Sequence, residues 1–171
     1  EQWLALLDFT IKTADSLGMQ VDMNLGTGWP YGGPQIDLKH AATRLVVDSV
    51  QLNKGQRFTG NLTPQNVKDT LGAKIAAVMA FGKDGSVVDL TSNLQNNSLK
   101  WKAKKTDYTL YTVFTGKTGQ KVKRAAPGGE GYTVDHYSNK AFEQYTTRFN
   151  VALKNNGKGL RAIFNDSYEV Y

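Results

Sequence analysis

The chain of 171 residues contains no cysteine. Disulfides and thiolate chemistry are thereby excluded, and a bound metal would rest on oxygen ligands and two histidines. The absence of cysteine fits the cytosol and a bacterial periplasm alike. No apolar run approaches the roughly 18 residues that span a bilayer. Glu1–Gly18 reads as an amphipathic helix rather than a signal peptide, so the signal of an exported protein is expected upstream. There is no Gly-Lys-Ser/Thr ending to make a phosphate loop, and the glycine spacing does not suit a dinucleotide site.

What is present is unevenly spread. Residues 39–126 carry 15 Lys and Arg against 5 Asp, a net of +10, while the flanks carry 6 against 10 acids, a net of −4. Such asymmetry suggests two units with different tasks and a middle that interrupts the rest.

Trp3, Leu4, Leu7, Ile11, Ala14 and Leu17 recur at helical spacing, and Gly18 is placed to stop the helix. Val21–Leu25 reads as a short strand. After it, Gly26–Pro34 holds four glycines, two prolines, Trp29 and Tyr31, a loop shaped around something. From 44 to 126 the period falls towards two. Strands are expected at 44–52, 73–82, 87–90, 98–102 and 107–115, with a hairpin turn at Lys83–Ser86, and together they imply a small β-sandwich. Helical period returns after Ser138, a good N-cap, with Phe142, Tyr145, Phe149 and Leu153 as its stripe. A last strand covers Leu160–Phe164.

With the middle removed, the order is helix, strand, loop, helix, strand. The expected fold class is therefore α+β: a partial (β/α) barrel segment of two helices and two parallel strands, over 1–38 and 127–171, interrupted by an inserted β-sandwich domain over 39–126. Two strands close no barrel, so the chain reads as a piece of a larger catalytic domain.

Asp166 and Glu169 follow the last strand, at the end where barrel active sites form. Paired carboxylates suit glycoside hydrolysis, although either could equally cap a helix or join an ion pair. Trp29 and Tyr31 offer aromatic faces to sugar rings, and the glycines beside them would let backbone approach a ligand; the competing reading is a packed loop. Pro127–Gly131 forms a second tight loop ahead of Asp135-His136. His136 could bind substrate or metal, or serve the structure. Eight Lys and Arg between 100 and 124 lie near Trp101, Tyr108 and Tyr111. A solvated sandwich face is the preferred reading over nucleic-acid binding, with attraction to an acidic polysaccharide between the two.

Three blocks carry a resemblance. Val21–Pro30 (VDMNLGTGWP) with Gly32-Gly33-Pro34 resembles the barrel-strand segment of glycoside hydrolase family 106, the α-L-rhamnosidases and related bacterial proteins. Pro127–Gly131 followed by Val134-Asp135-His136 is similar to that family's next block, and Phe164–Tyr171 (FNDSYEVY) to a third. The resemblance implies an inverting, calcium-assisted hydrolase with a (β/α)8 catalytic domain and accessory β domains, acting on oligosaccharide or polysaccharide of plant or bacterial origin. Calcium would hold sugar hydroxyls through oxygen ligands, and its own protein ligands are not assigned. By the same resemblance Glu169 is the general acid, with Asp166 beside it, and Asp22, Asn24, Trp29, Glu130 and His136 line the subsite. An inverting pair stands about 6.5–9.5 Å apart, so the second carboxylate is expected beyond Tyr171 and the isolated chain is expected to be inactive.

A periplasmic or secreted location follows from the resemblance, with no transmembrane segment and no nucleic-acid partner. Self-association of the isolated chain is expected, through apolar surface that a complete barrel would cover. The alternative is a non-catalytic carbohydrate-binding module whose site lies on the sandwich, through Trp101 or Tyr111.

Overall fold

The computed structural model describes residues 2–165 and 168–170. It is a mixed α+β chain with two compact units, Glu1–Ala42 joined by Gly119–Tyr171, and Thr43–Thr118. The central unit is narrower than the charge pattern suggested. Residues 119–126 belong to the first unit, because their backbone pairs with its loops: Lys123 and Trp29 exchange N–H···O bonds of 3.2 and 2.8 Å.

In the first unit, α1 (Gln2–Ser16) ends as the sequence predicts. Gly18 adopts φ 71°, and the amides of Gly18 and Met19 return to the carbonyls of Asp15 and Ala14. Its inward line is Leu4, Leu7, Asp8, Ile11 and Ala14. Trp3 and Leu17, expected on that face, lie at its margins and are exposed. Asp8 belongs to the inward line because its carboxylate accepts the Gly157 amide at 2.8 Å.

Strand β1 (Val21–Met23) is shorter than expected and pairs in parallel with β10 (Leu160–Ile163). The Phe164 amide extends this ladder to the Met23 carbonyl. Among the described residues no barrel closes; β1 and β10 form a sheet of two strands.

Helix α2 (Asn139–Leu153) begins at Ser138, whose hydroxyl accepts from the Ala141 amide. Its buried line is Ala141, Tyr145 and Phe149, whereas Phe142, expected in the stripe, points outward. The ring of Tyr145 is wholly enclosed with Tyr31, Ile36, Ala41 and Val134, and this cluster is the core of the first unit.

The second unit holds a four-stranded antiparallel sheet in the order β3 (Thr43–Leu52), β8 (Tyr108–Lys117), β5 (Lys74–Gly82), β6 (Val87–Asp89). A second, two-stranded sheet pairs β4 (Arg57–Asn61) with β7 (Ser98–Lys102). The alternation read along 108–115 is the burial pattern itself: Tyr108, Leu110, Thr112 and Phe114 turn inward. Tyr108, Leu110 and Phe114 meet Val78 and Ala80 of β5 and Leu99 of β7 in one core, with Phe58 and Trp101 packed against it. The expected hairpin turn joins β5 to β6, with Gly85 at φ 81° and a Gly82–Ser86 backbone bond of 2.8 Å.

Phe114 is only 2% exposed and spans this core, so Phe114→Ala should destabilise the second unit by about 3–5 kcal/mol. Loss of the helix cap in Ser138→Ala should cost about 1 kcal/mol, confined to the first unit. Hydrogen exchange during denaturant titration separates the two: β8 amides should respond to the first change and α2 amides to the second. A uniform response of both units to either change would contradict two separate cores.

Candidate functional site

The glycine-rich loop is woven into the chain around it. Trp29 bridges to Lys123, β2 (Gly32–Gly33) pairs with β9 (Tyr132–Thr133), and the Val122 amide reaches the Gly131 carbonyl at 3.0 Å. A Cβ at Gly28 would meet the Lys123 carbonyl, and one at Gly131 would meet the Gly33 carbonyl. These glycines therefore admit neighbouring protein backbone rather than a ligand, which corrects the sequence expectation.

Tyr31 departs from expectation as well. It is 6% exposed and stacks on Tyr145 at 5.4 Å, so its face is not open to a sugar. Its hydroxyl donates to the Phe164 carbonyl at 2.5 Å and accepts the Leu25 amide at 3.3 Å. Burial raises its pKa above the ordinary value, which keeps the hydroxyl protonated for this role.

Trp29 is half-buried and its indole N–H donates to Glu169 Oε2 at 3.2 Å. The Lys123 ammonium approaches the same oxygen at 3.1 Å, and the Gln120 side-chain amide donates to the Glu169 backbone carbonyl at 2.6 Å. The guanidinium of Arg124 lies 5.2 Å from the Trp29 ring centre. Two of the residues expected to line one site, Trp29 and Glu169, are thus in contact, from opposite ends of the chain. The hydrogen bond from Lys123, then that from Trp29, holds the Glu169 carboxyl below its ordinary value. Asp166 lies outside the described residues.

His136 follows β9. Its Nδ1 lies 2.9 Å from the Val134 carbonyl, an acceptor only, so this nitrogen carries the proton and Nε2 the lone pair. Burial lowers the ring's pKa, with the Val134 bond opposing. Nε2 is enclosed and has no hydrogen-bond partner among the described residues. The imidazole lies against the Tyr31 ring on one side and meets Tyr168 edge-on at 4.8 Å.

The remaining expected residues are dispersed. Asp22 forms a two-toothed pair with Arg161 across β1 and β10, which lowers its pKa and commits the carboxylate to the sheet. The Asn24 side-chain oxygen Oδ1 accepts the Gly26 amide at 2.6 Å and shapes the start of the loop. Glu130 is exposed and makes no hydrogen bond or ion pair with the described residues. Sequence reasoning overlooked Lys123, Gln120 and Tyr168. The alternation of Lys121, Val122 and Lys123 is a signal for the first, but the charge pattern groups it with the basic middle. Among the described residues no three Asp, Glu or His gather as a metal cage, so these residues alone do not fit a calcium site.

Comparison with known proteins gives the family of the chain. Residues 65–171, more than half of the chain, match the glycoside hydrolase family 106 model, described as alpha-L-rhamnosidase. A protein of Formosa agariphila named "Putative beta-glucuronidase" is 24% identical over 184 aligned residues, which cover 85% of this chain and 16% of that protein. The solved rhamnosidase from Novosphingobium sp. PP1Y shares the fold, with a TM-score of 0.66 and 15% identity over 98% of this chain and 33% of that structure. The chain thus spans a third or less of the relatives it matches. It belongs to glycoside hydrolase family 106, the alpha-L-rhamnosidase family.

Proposed function

We propose that this chain is part of the catalytic region of a glycoside hydrolase that cleaves α-L-rhamnosides in plant or bacterial glycans. In this reading β1 and β10 are neighbouring strands of a (β/α) barrel, and Glu169 is the carboxylate beside the scissile bond. The observation that carries it is the convergence of the Trp29 indole N–H and the Lys123 ammonium on one Glu169 oxygen. A carboxylate past a strand end, beside an aromatic ring and a backbone-dense loop, suits sugar hydrolysis. Family membership supports the same chemistry. An inverting reaction needs one carboxyl to protonate the departing oxygen and another to deprotonate water. Cleavage of large glycans fits a periplasmic or secreted enzyme.

The resting geometry holds Glu169 ionised. As general acid it must first take up a proton, so binding of substrate has to displace Lys123 or bring a second negative charge close enough to outweigh it.

The intact enzyme should be assayed on an aryl α-L-rhamnoside and an aryl β-D-glucuronide, with calcium and with chelator. Glu169→Gln should lower kcat by about 10²-fold or more on the substrate that is turned over. Full activity of that variant would remove Glu169 from the chemistry, and turnover of the glucuronide alone would replace rhamnoside as the substrate. The 171-residue chain by itself should show no turnover.

Lys123→Met tests the state in which Glu169 works. Removing the ammonium should raise the Glu169 pKa towards its ordinary value of 4.5, seen as an upward shift of its carboxyl ¹³C titration. Because the folded value lies below the unfolded one, this contact stabilises the chain fully above about pH 4.5 and fades as pH falls through the lowered value. The variant should lose that acid-side dependence. In activity, a general acid predicts that the alkaline limb of the pH profile moves to higher pH. Movement of the acidic limb instead would make Glu169 the base.

A further inference from the structure

The second unit carries a charge pattern that its own fold does not need. Thr43–Thr118 holds eleven Lys and Arg against five Asp, a net of +6 that equals the net charge of the whole chain. The excess is concentrated at the two-stranded sheet. Along β4 and β7, Phe58, Leu99 and Trp101 turn towards the core, so Arg57, Thr59, Asn61, Lys100 and Lys102 share the outer face. The register sets Arg57 directly opposite Lys102. Like charges at paired positions destabilise a ladder, and none of Arg57, Lys100 and Lys102 has an ion-pair partner among the described residues.

Two clefts extend this face and share Lys100. One, of about 730 Å³, is lined by amides and hydroxyls, including Asn61, Asn93, Gln95 and Ser98. The other, of about 510 Å³, brings Lys102, Lys104 and Lys105 together beside Trp101. No acidic residue lines either cleft, although Asp84 acts electrostatically on Lys105. Amides and hydroxyls matched to sugar hydroxyls, next to ammonium groups matched to anions, describe one kind of polymer.

We propose that the outer face of β4 and β7, with the clefts that meet at Lys100, binds an anionic polysaccharide. Its anionic groups are carboxylates or sulfate esters along the chain. A single-stranded nucleic acid is disfavoured by the same geometry. Its bases need exposed rings to stack on, whereas Tyr108 is buried and Trp101 is half-buried in T-shaped contact with it at 5.0 Å. The preference for a glycan also rests on membership in a glycoside hydrolase family, but not on rhamnoside being the substrate or on the role of Glu169.

The test is affinity electrophoresis of the full chain at low salt, through gels containing polygalacturonate, chondroitin sulfate, dextran or oligo(dT). Wild type should be retarded by an anionic glycan and not by dextran, and added salt should release it. Retardation by polygalacturonate assigns carboxylates, and retardation by chondroitin sulfate alone assigns sulfates. The triple variant Arg57→Gln, Lys100→Gln, Lys102→Gln should weaken binding at least tenfold. Its Tm should match or exceed that of wild type, because repulsion across the ladder is relieved; this separates lost binding from lost fold. Glu169→Gln should bind the glycan as wild type does, so that failure of the catalytic reading is seen separately. No retardation by either anionic glycan, undiminished binding by the triple variant, or tighter binding of oligo(dT) than of both glycans would overturn the proposal.

Discussion

The first unit depends on one buried hydroxyl. Tyr31 stands where β1 runs out into the glycine-rich loop and where β10 ends, and its oxygen serves both, accepting from Leu25 and donating to Phe164. Without it, a backbone amide and a carbonyl beside a packed core would lose their partner, and each such loss costs about 1–3 kcal/mol. Its ring meanwhile lies between Tyr145 and His136, so the same side chain fixes the strand ends and packs the core. The neighbouring Tyr145 hydroxyl donates to the Leu25 carbonyl at 3.3 Å, and burial pushes its pKa well above the ordinary phenol value. Two phenols that stay protonated at any ordinary pH make this junction insensitive to acid and base.

From that junction the site follows. With Tyr31 anchored, Trp29 two residues earlier is held against Lys123, and both reach the carboxylate of Glu169, five residues beyond Phe164. Glycines make the arrangement possible by letting two chain segments lie closer than side chains would permit. The outcome is a carboxylate whose environment is set by residues 46 and 140 positions away in sequence.

This explains what was legible. Local signals were reliable: the Gly18 helix stop, the Ser138 cap, the alternation of β8 and the Lys83–Ser86 turn each rest on a few adjacent residues. Strand β4 escaped notice, since Arg57–Asn61 includes a glycine and is stabilised by its distant partner β7. Helical stripes were read too broadly, because spacing does not say how far a face stays covered, and Trp3, Leu17 and Phe142 lie past that limit. Tyr31 looked like a sugar platform because an aromatic in a glycine-rich loop has the same appearance whether it faces solvent or core. Lys123 was grouped with its charged neighbours, and only the fold assigns it to Glu169 instead.

The register of β3 with β8 has a consequence for modularity. Thr43 pairs with Lys117, so the chain enters and leaves the second unit on neighbouring strands at one end of a single ladder, about 5 Å apart. A segment whose two ends nearly touch adds little loop-closure cost to the host chain, whatever its length. It behaves as a cassette, open to deletion, exchange or graft through a tight turn, and its surface can diversify without disturbing the strands that host it.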